Sequence, residues 1–251
     1  MAFRTSNPAL NDSTWENLPR VARSTESMTV QGTVGKAALL LLLLMISASF
    51  VWNKTLVDRM VGQAQLYMMI GLIGGLITSL VIIFVKTTAP YLSPVYALLE
   101  GLAIGGIGAF ANASYPGLVL PAVMLTFATL GALLFLYQTR IIRATDKFKM
   151  GVVGATGAIF LVYMLTFVLG LFKIQIPLIH SSGLIGIGFS LFVVGIAALT
   201  LVLDFDFIEN GAAQNAPKYM EWYGAFGLIV TLIWLYLEIL RLLMKLQDRR
   251  R

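Results

Sequence analysis

Apolar residues along this chain gather into seven blocks of roughly 20 residues, the length that carries a helix across a bilayer core. The blocks cover residues 35–52, 65–85, 92–113, 117–137, 151–172, 183–203 and 219–244. Runs this long and this uniformly apolar predict helices, because hydrocarbon cannot satisfy the open backbone groups of a strand edge. Prolines and glycines punctuate the pattern. Pro90 and Pro94 open the third block, and Pro116 with Gly117 separates the third from the fourth. Pro177 precedes the sixth block and Pro217 the seventh. Trp52, Trp222, Tyr223 and Tyr236 fall near block ends, where amphipathic rings meet the headgroups.

Composition turns this pattern into a class. Of 251 residues, 58% are hydrophobic and only 12% are charged, and the mean hydropathy is +0.85. An average soluble domain is roughly 25% charged, so a water-soluble globule is excluded. The chain reads as an all-α integral membrane protein with a seven-helix transmembrane domain over 35–246. A polar tail (1–34) precedes that domain, and a short basic tail (247–251) follows it. Asp12, Glu16 and Glu26 make the first stretch too long and too acidic for a signal peptide. It is therefore expected to be cytoplasmic, with the first helix an uncleaved anchor.

Charge sets the expected orientation. With the N-terminus inside, ten basic residues lie inside: Arg4, Arg20, Arg23, Lys36, Lys86, Arg140, Arg143, Lys147, Lys149 and Lys218. Lys54, Arg59 and Lys173 lie outside. Arg241, Lys245, Arg249, Arg250 and Arg251 go outside if the seventh segment crosses, and inside if it re-enters. The length of that segment favours crossing. The net charge of +6 is read as loop charge facing the anionic lipid of the bilayer, with no nucleic-acid partner. There is no cysteine and one histidine, His180, so disulfides, thiolate chemistry, multi-histidine metal sites and a resident cofactor are not expected. His180 is read as a loop residue. Ser93, Ser181 and Ser182 lack the context of a nucleophile, and no enzymatic chemistry is expected.

Small residues recur at close-packing intervals: Gly71 and Gly75; Gly101, Gly105 and Gly108; Gly151, Gly154 and Gly157; Gly183, Gly186 and Gly188. They are expected to let helices approach in lipid. Candidate chemistry lies with the acids in or beside the spans. A carboxylate at a helix centre costs roughly 2.5–3.5 kcal/mol on insertion scales and tends to mark a pathway. Glu100, in YALLEGLAIGG, is expected to be the most buried, either as part of an ion path or as a protonated acid bonded to a neighbouring helix. Asp204 and Asp206 are expected to end the sixth helix. They lie about 200° apart around it, so one points inward and the other, with Glu209, to the headgroups. Glu221 begins the seventh helix, where the helix dipole favours a carboxylate. It is expected at the same depth across the hairpin as Asp204. Glu238 has Arg241 three residues on and reads as an interfacial ion pair.

The segments PVYALLEGLAIGG, LVLDFDFIENGAAQNAPKYMEWYGAFG and IWLYLEILRLL, with SNPAL near the start, resemble the Bax inhibitor-1/YccA-like family, the transmembrane Bax inhibitor motif group. The similarity spans nearly the whole chain, and the block across the sixth and seventh helices is its specific part. It implies seven helices with the seventh central, wrapped by the other six. It also implies a proton-sensitive leak of calcium ions across a cytoplasmic (inner) membrane. Asp204 matches the family's helix 6 aspartate, half of a carboxylate pair that senses protons. Its partner in the seventh helix is Glu221 by geometry or Glu238 by the LYLE match. Glu100 resembles the glutamate of the family's EG motif, and Glu100, Asp204 and Asp206 are the acids expected along the ion path. The other function class is a modulator that binds a membrane partner, such as a quality-control protease, with the polar tail as its docking segment.

Overall fold

The computed structural model describes residues 27–56, 61–172 and 181–250. The tail residues 1–26, Arg59, Lys173, Pro177, His180 and Arg251 lie outside the described residues. The described residues form seven α-helices: α1 Val30–Leu56, α2 Val61–Phe84, α3 Ala89–Ser114, α4 Val119–Gln138, α5 Asp146–Leu171, α6 Leu184–Ala213 and α7 Met220–Arg250. Each is long and apolar enough to cross a membrane. A 3-10 turn, Lys86–Thr88, leads into α3. Pro90 sits in the first turn of α3, where the missing N–H has no intrahelical role. Thr145 caps α5 by accepting from the Phe148 amide at 3.3 Å.

Several ends differ from those the hydropathy predicts. α1 begins at Val30, inside the polar stretch. α7 runs through the basic tail to Arg250, since Arg and Lys are good helix formers and need no end to the helix. The largest difference is in α6, which continues to Ala213 instead of stopping at the aspartates. Phe205, Phe207 and Ile208 are buried and keep an apolar face toward the protein. Asp206, Glu209 and Asn210 take half-buried positions, and the Asn210 amide donates to Asp206 at 2.9 Å. Asn215 then turns the chain at φ 51°, a conformation asparagine tolerates.

The chain divides into two compact units. One holds α1, α2, α3, the end of α6 from Asp206 and the start of α7 to Val230. In it α3 packs against both α1 and α2, and glycine sets the spacing. A Cβ on Gly101 or Gly105 would fall on the α1 carbonyls of Leu44 or Ala48, and one on Gly71 would fall on the α3 backbone at Leu99 and Ala103. The Ser47 hydroxyl adds a bond to the Leu98 carbonyl at 2.7 Å. Tyr96 of α3 meets Phe226 of α7 edge-on, with ring centroids 4.9 Å apart.

The other unit holds α4, α5, α6 up to Phe205 and α7 from Thr231. Tyr137 of α4 packs on Phe205 of α6, and Tyr163 of α5 on Phe189 of α6. Here the expected glycine packing is corrected. Gly151, Gly154 and Gly157 lie on an exposed face of α5, and a Cβ on any of them would meet nothing within 4 Å. Gly188 is equally open, whereas Gly186 is pressed against the Ser181 backbone. Lys245, near the end of α7, donates to the Gly186 carbonyl and the Ser190 hydroxyl at the start of α6. α7 is one unbroken helix of 31 residues. α7 is also the most buried of the seven helices, and it contributes to both units.

Candidate functional site

Three acids are almost completely shielded: Asp204 at 0% exposure, Glu221 at 0% and Glu238 at 2%. Glu100, expected to be the deepest, is only half-buried. It sits on α3 against α2, where Gly75 leaves space for its carboxylate: a Cβ there would lie 2.5 Å from Oε1. Tyr96, one turn earlier, is its hydrogen-bond partner.

Glu221 occupies the first turn of α7 and ties three chain segments together. Its Oε1 accepts from the Thr29 amide at 2.9 Å and from the Thr29 hydroxyl at 2.8 Å. Lys36 of α1 pairs with Oε2, and Lys218 lies 3.4 Å from Oε1. Gly32 makes room, because a side chain there would collide with the carboxylate. Aromatic faces complete the arrangement: Lys36 lies over Trp222 at 5.5 Å, and Lys86 over Tyr223 at 5.9 Å. Just outside it the Met28 amide donates to the Ala216 carbonyl at 2.6 Å, so the segment before α1 lies along the α6–α7 connection. The charge of Glu221 is thus matched by two ammonium groups and a backbone N–H, an arrangement that fixes helix ends in place.

In the other unit Glu238 belongs to a three-residue cluster. Its Oε1 accepts from the Tyr163 hydroxyl at 3.0 Å and from Arg241 at 2.8 Å. Arg241 also donates to the Tyr163 oxygen at 2.7 Å and stacks over the ring at 5.2 Å. The expected Glu238–Arg241 pair is present, and the glutamate is buried, with the Tyr163 hydroxyl of α5 as a further partner.

Asp204 lies well inside α6, nine residues before its last residue. The helix dipole acts within the final turn, so it does not bear on Asp204. Glu221 is the second residue of α7. Glu221 and Glu238 are 17 residues apart on one helix, about 25 Å along its axis. Asp206 is half-buried and holds Asn210.

The sequence reading missed Thr29, Lys36, Tyr163 and Lys245 as partners of these groups. Lys245 is only 6% exposed. A lysine or a lone tyrosine within an apolar run is a signal of the same kind as an acid there, and that signal was available. No curated protein matches the chain, and no solved structure matches it. A family model described as Bax inhibitor 1 like matches residues 7–248. A multi-pass protein of seven apolar helices matched over nearly its whole length, this chain belongs to the Bax inhibitor 1 like family.

Proposed function

We propose that the chain is a proton-sensitive calcium leak of the cytoplasmic (inner) membrane, with a cytoplasmic N-terminus and Asp204 as the proton sensor. The observation that carries this reading is the complete burial of Asp204 within a membrane-spanning helix. A carboxylate there is costly to keep unless its protonation does work. Asp204 matches the family's helix 6 aspartate and is fully shielded, so it is taken as the sensor and α7 as the element it biases. Glu100 and Asp206 remain candidates for the ion's route. The orientation is supported by Lys36, Lys86 and Lys218, three lysines of the inside segments that gather around the start of α7. Calcium flux from liposomes holding the purified protein, measured against pH, tests the reading. Asp204→Asn is expected to flatten the pH profile, and Asp206→Asn to leave it in place. A wild-type profile in Asp204→Asn overturns the sensor. Absence of flux in the wild-type protein overturns the leak and leaves partner binding as the reading to pursue.

A further inference from the structure

The side of α3 that meets α7 holds a buried hydroxyl with no bond. Ser93 is 0% exposed, and its Oγ has no hydrogen-bond partner among the described residues. A helical hydroxyl has an acceptor within reach in the carbonyl four residues back. Thr55, Thr126, Thr166 and Thr200 all use it here, at 2.8–2.9 Å. Ser93 does not. A second polar group is released beside it. Pro94 lies inside α3 and has no N–H to give the Pro90 carbonyl. That carbonyl is three residues before Ser93, on the adjoining face of the helix. A buried hydroxyl without a bond, beside a carbonyl that lacks its usual helical donor, is a setting in which proteins hold an ordered water.

The neighbours give this position direction. Lys86 precedes Ser93 by seven residues and Glu100 follows it by seven. Seven residues make nearly two helical turns, so Ser93 and Glu100 fall along one stripe of α3, while Lys86 lies in the 3-10 turn before it. Tyr96, 4% exposed, lies between Ser93 and Glu100 and hydrogen-bonds Glu100. Lys86 reaches Tyr223 of α7, and Tyr96 reaches Phe226 one turn further along α7, so Ser93 lies between two contacts with the same helix. The titratable groups here are Lys86 of the 3-10 turn, Tyr96 and Glu100 of α3, and Tyr223 of α7. Gly75 of α2, facing the carboxylate, contributes none.

We propose that Ser93 and the Pro90 carbonyl hold a buried water, and that this water and the Tyr96 hydroxyl pass protons to and from Glu100. Ser93 and Tyr96 are three residues apart, about 4.5 Å along the helix axis. This route carries protons only. It stands whether or not calcium crosses the protein, and it does not involve Asp204.

The test is hydrogen–deuterium exchange of the Glu100 carboxyl in lipid-reconstituted protein, followed by its infrared C=O stretch at a pH where Glu100 carries its proton. Glu100→Gln assigns the band by removing it. The wild-type band is expected to shift promptly on transfer to D2O. Ser93→Ala removes one partner of the water, and Pro94→Ala returns an N–H to the Pro90 carbonyl. Each is expected to slow exchange at least tenfold. Exchange at the wild-type rate in both variants, or a wild-type band that does not exchange, overturns the proposal. The melting temperature gives an independent readout. A hydroxyl that holds water loses bonds in Ser93→Ala and the melt falls, whereas a dry orphan hydroxyl is a cost and its removal raises the melt. A raised melt also overturns the proposal.

Discussion

Replacing Glu221 with Gln tests whether the start of α7 is a structural tie. The substitution preserves shape and an acceptor oxygen for Thr29 but leaves Lys36 and Lys218 without their counter-charge. Removing one partner of a fully buried pair costs about 3–5 kcal/mol. The pair here is only half sealed: the Glu221 side chain is 0% exposed, but those of Lys36 and Lys218 are 19% and 50% exposed. Water can therefore take up part of the stranded charge, which lowers the expected loss to about 2 kcal/mol. Glu221→Ala also abandons the two Thr29 bonds, and its loss is expected to reach about 4 kcal/mol at roughly 1 kcal/mol per bond. Lys36→Met combined with Glu221→Gln is expected to recover part of the single-variant loss, because neither charge is then left unmatched. The assay is reversible unfolding in mixed micelles, with hydrogen exchange of the Met28–Lys36 segment alongside it. Exchange in that segment is expected to speed up in Glu221→Gln before global stability falls, since this carboxylate holds the Thr29 amide. A Gln variant within 0.5 kcal/mol of wild type, with unchanged exchange at Thr29, would refute the reasoning.

Three further expectations follow from the packing and the helix lengths. Gly71→Ala places a Cβ on α3 backbone and is expected to cost about 1–3 kcal/mol, whereas Gly154→Ala meets nothing and is expected to be neutral or stabilising; equal losses in the same unfolding assay would sink the packing argument. Tyr163→Phe removes the hydroxyl shared by Glu238 and Arg241 and is expected to cost about 1 kcal/mol, in the range of hydrogen bonds between membrane helices; a wild-type unfolding curve would show the cluster contributes nothing. A reporter active only in the cytoplasm, fused after Arg251, is expected to be silent if α7 crosses; strong activity would contradict the seventh crossing.

The fold was legible in the sequence because bilayer thickness sets the length of each apolar block. All seven helices fall where hydropathy places them. Their ends were less legible because polarity is a poor stop signal for a helix. The run DFDFIEN reads as the border of the membrane, yet Phe205, Phe207 and Ile208 carry α6 onward with their rings and side chains buried. The glycines show the same division. Spacing alone marks Gly71, Gly101 and Gly105 as contact positions, and they are. It marks Gly151, Gly154 and Gly157 equally well, and those lie open. A stripe of small residues shows that close approach is possible without showing which face of the helix meets a neighbour.

The candidate site was legible as a set of acids and illegible as a set of partners. Insertion cost identifies Asp204, Glu221, Glu238 and Glu100 as unusual from the sequence, and the first three are the most deeply buried acids among the described residues. What each acid does depends on groups far along the chain. Lys36 is 185 positions from Glu221, and Tyr163 is 75 from Glu238. Local rules reach only three or four residues, so they found Arg241 beside Glu238. They could not find the cation or the phenol arriving from another helix. For the same reason the neighbours of Glu221 do not show that Lys36 matches its charge and Thr29 bonds it. Between Glu221 and Glu238 the sequence of α7 has no acidic or basic residue. An acid or base that acts on that stretch of α7 must therefore come from another part of the chain, as Lys86 does where it lies over Tyr223.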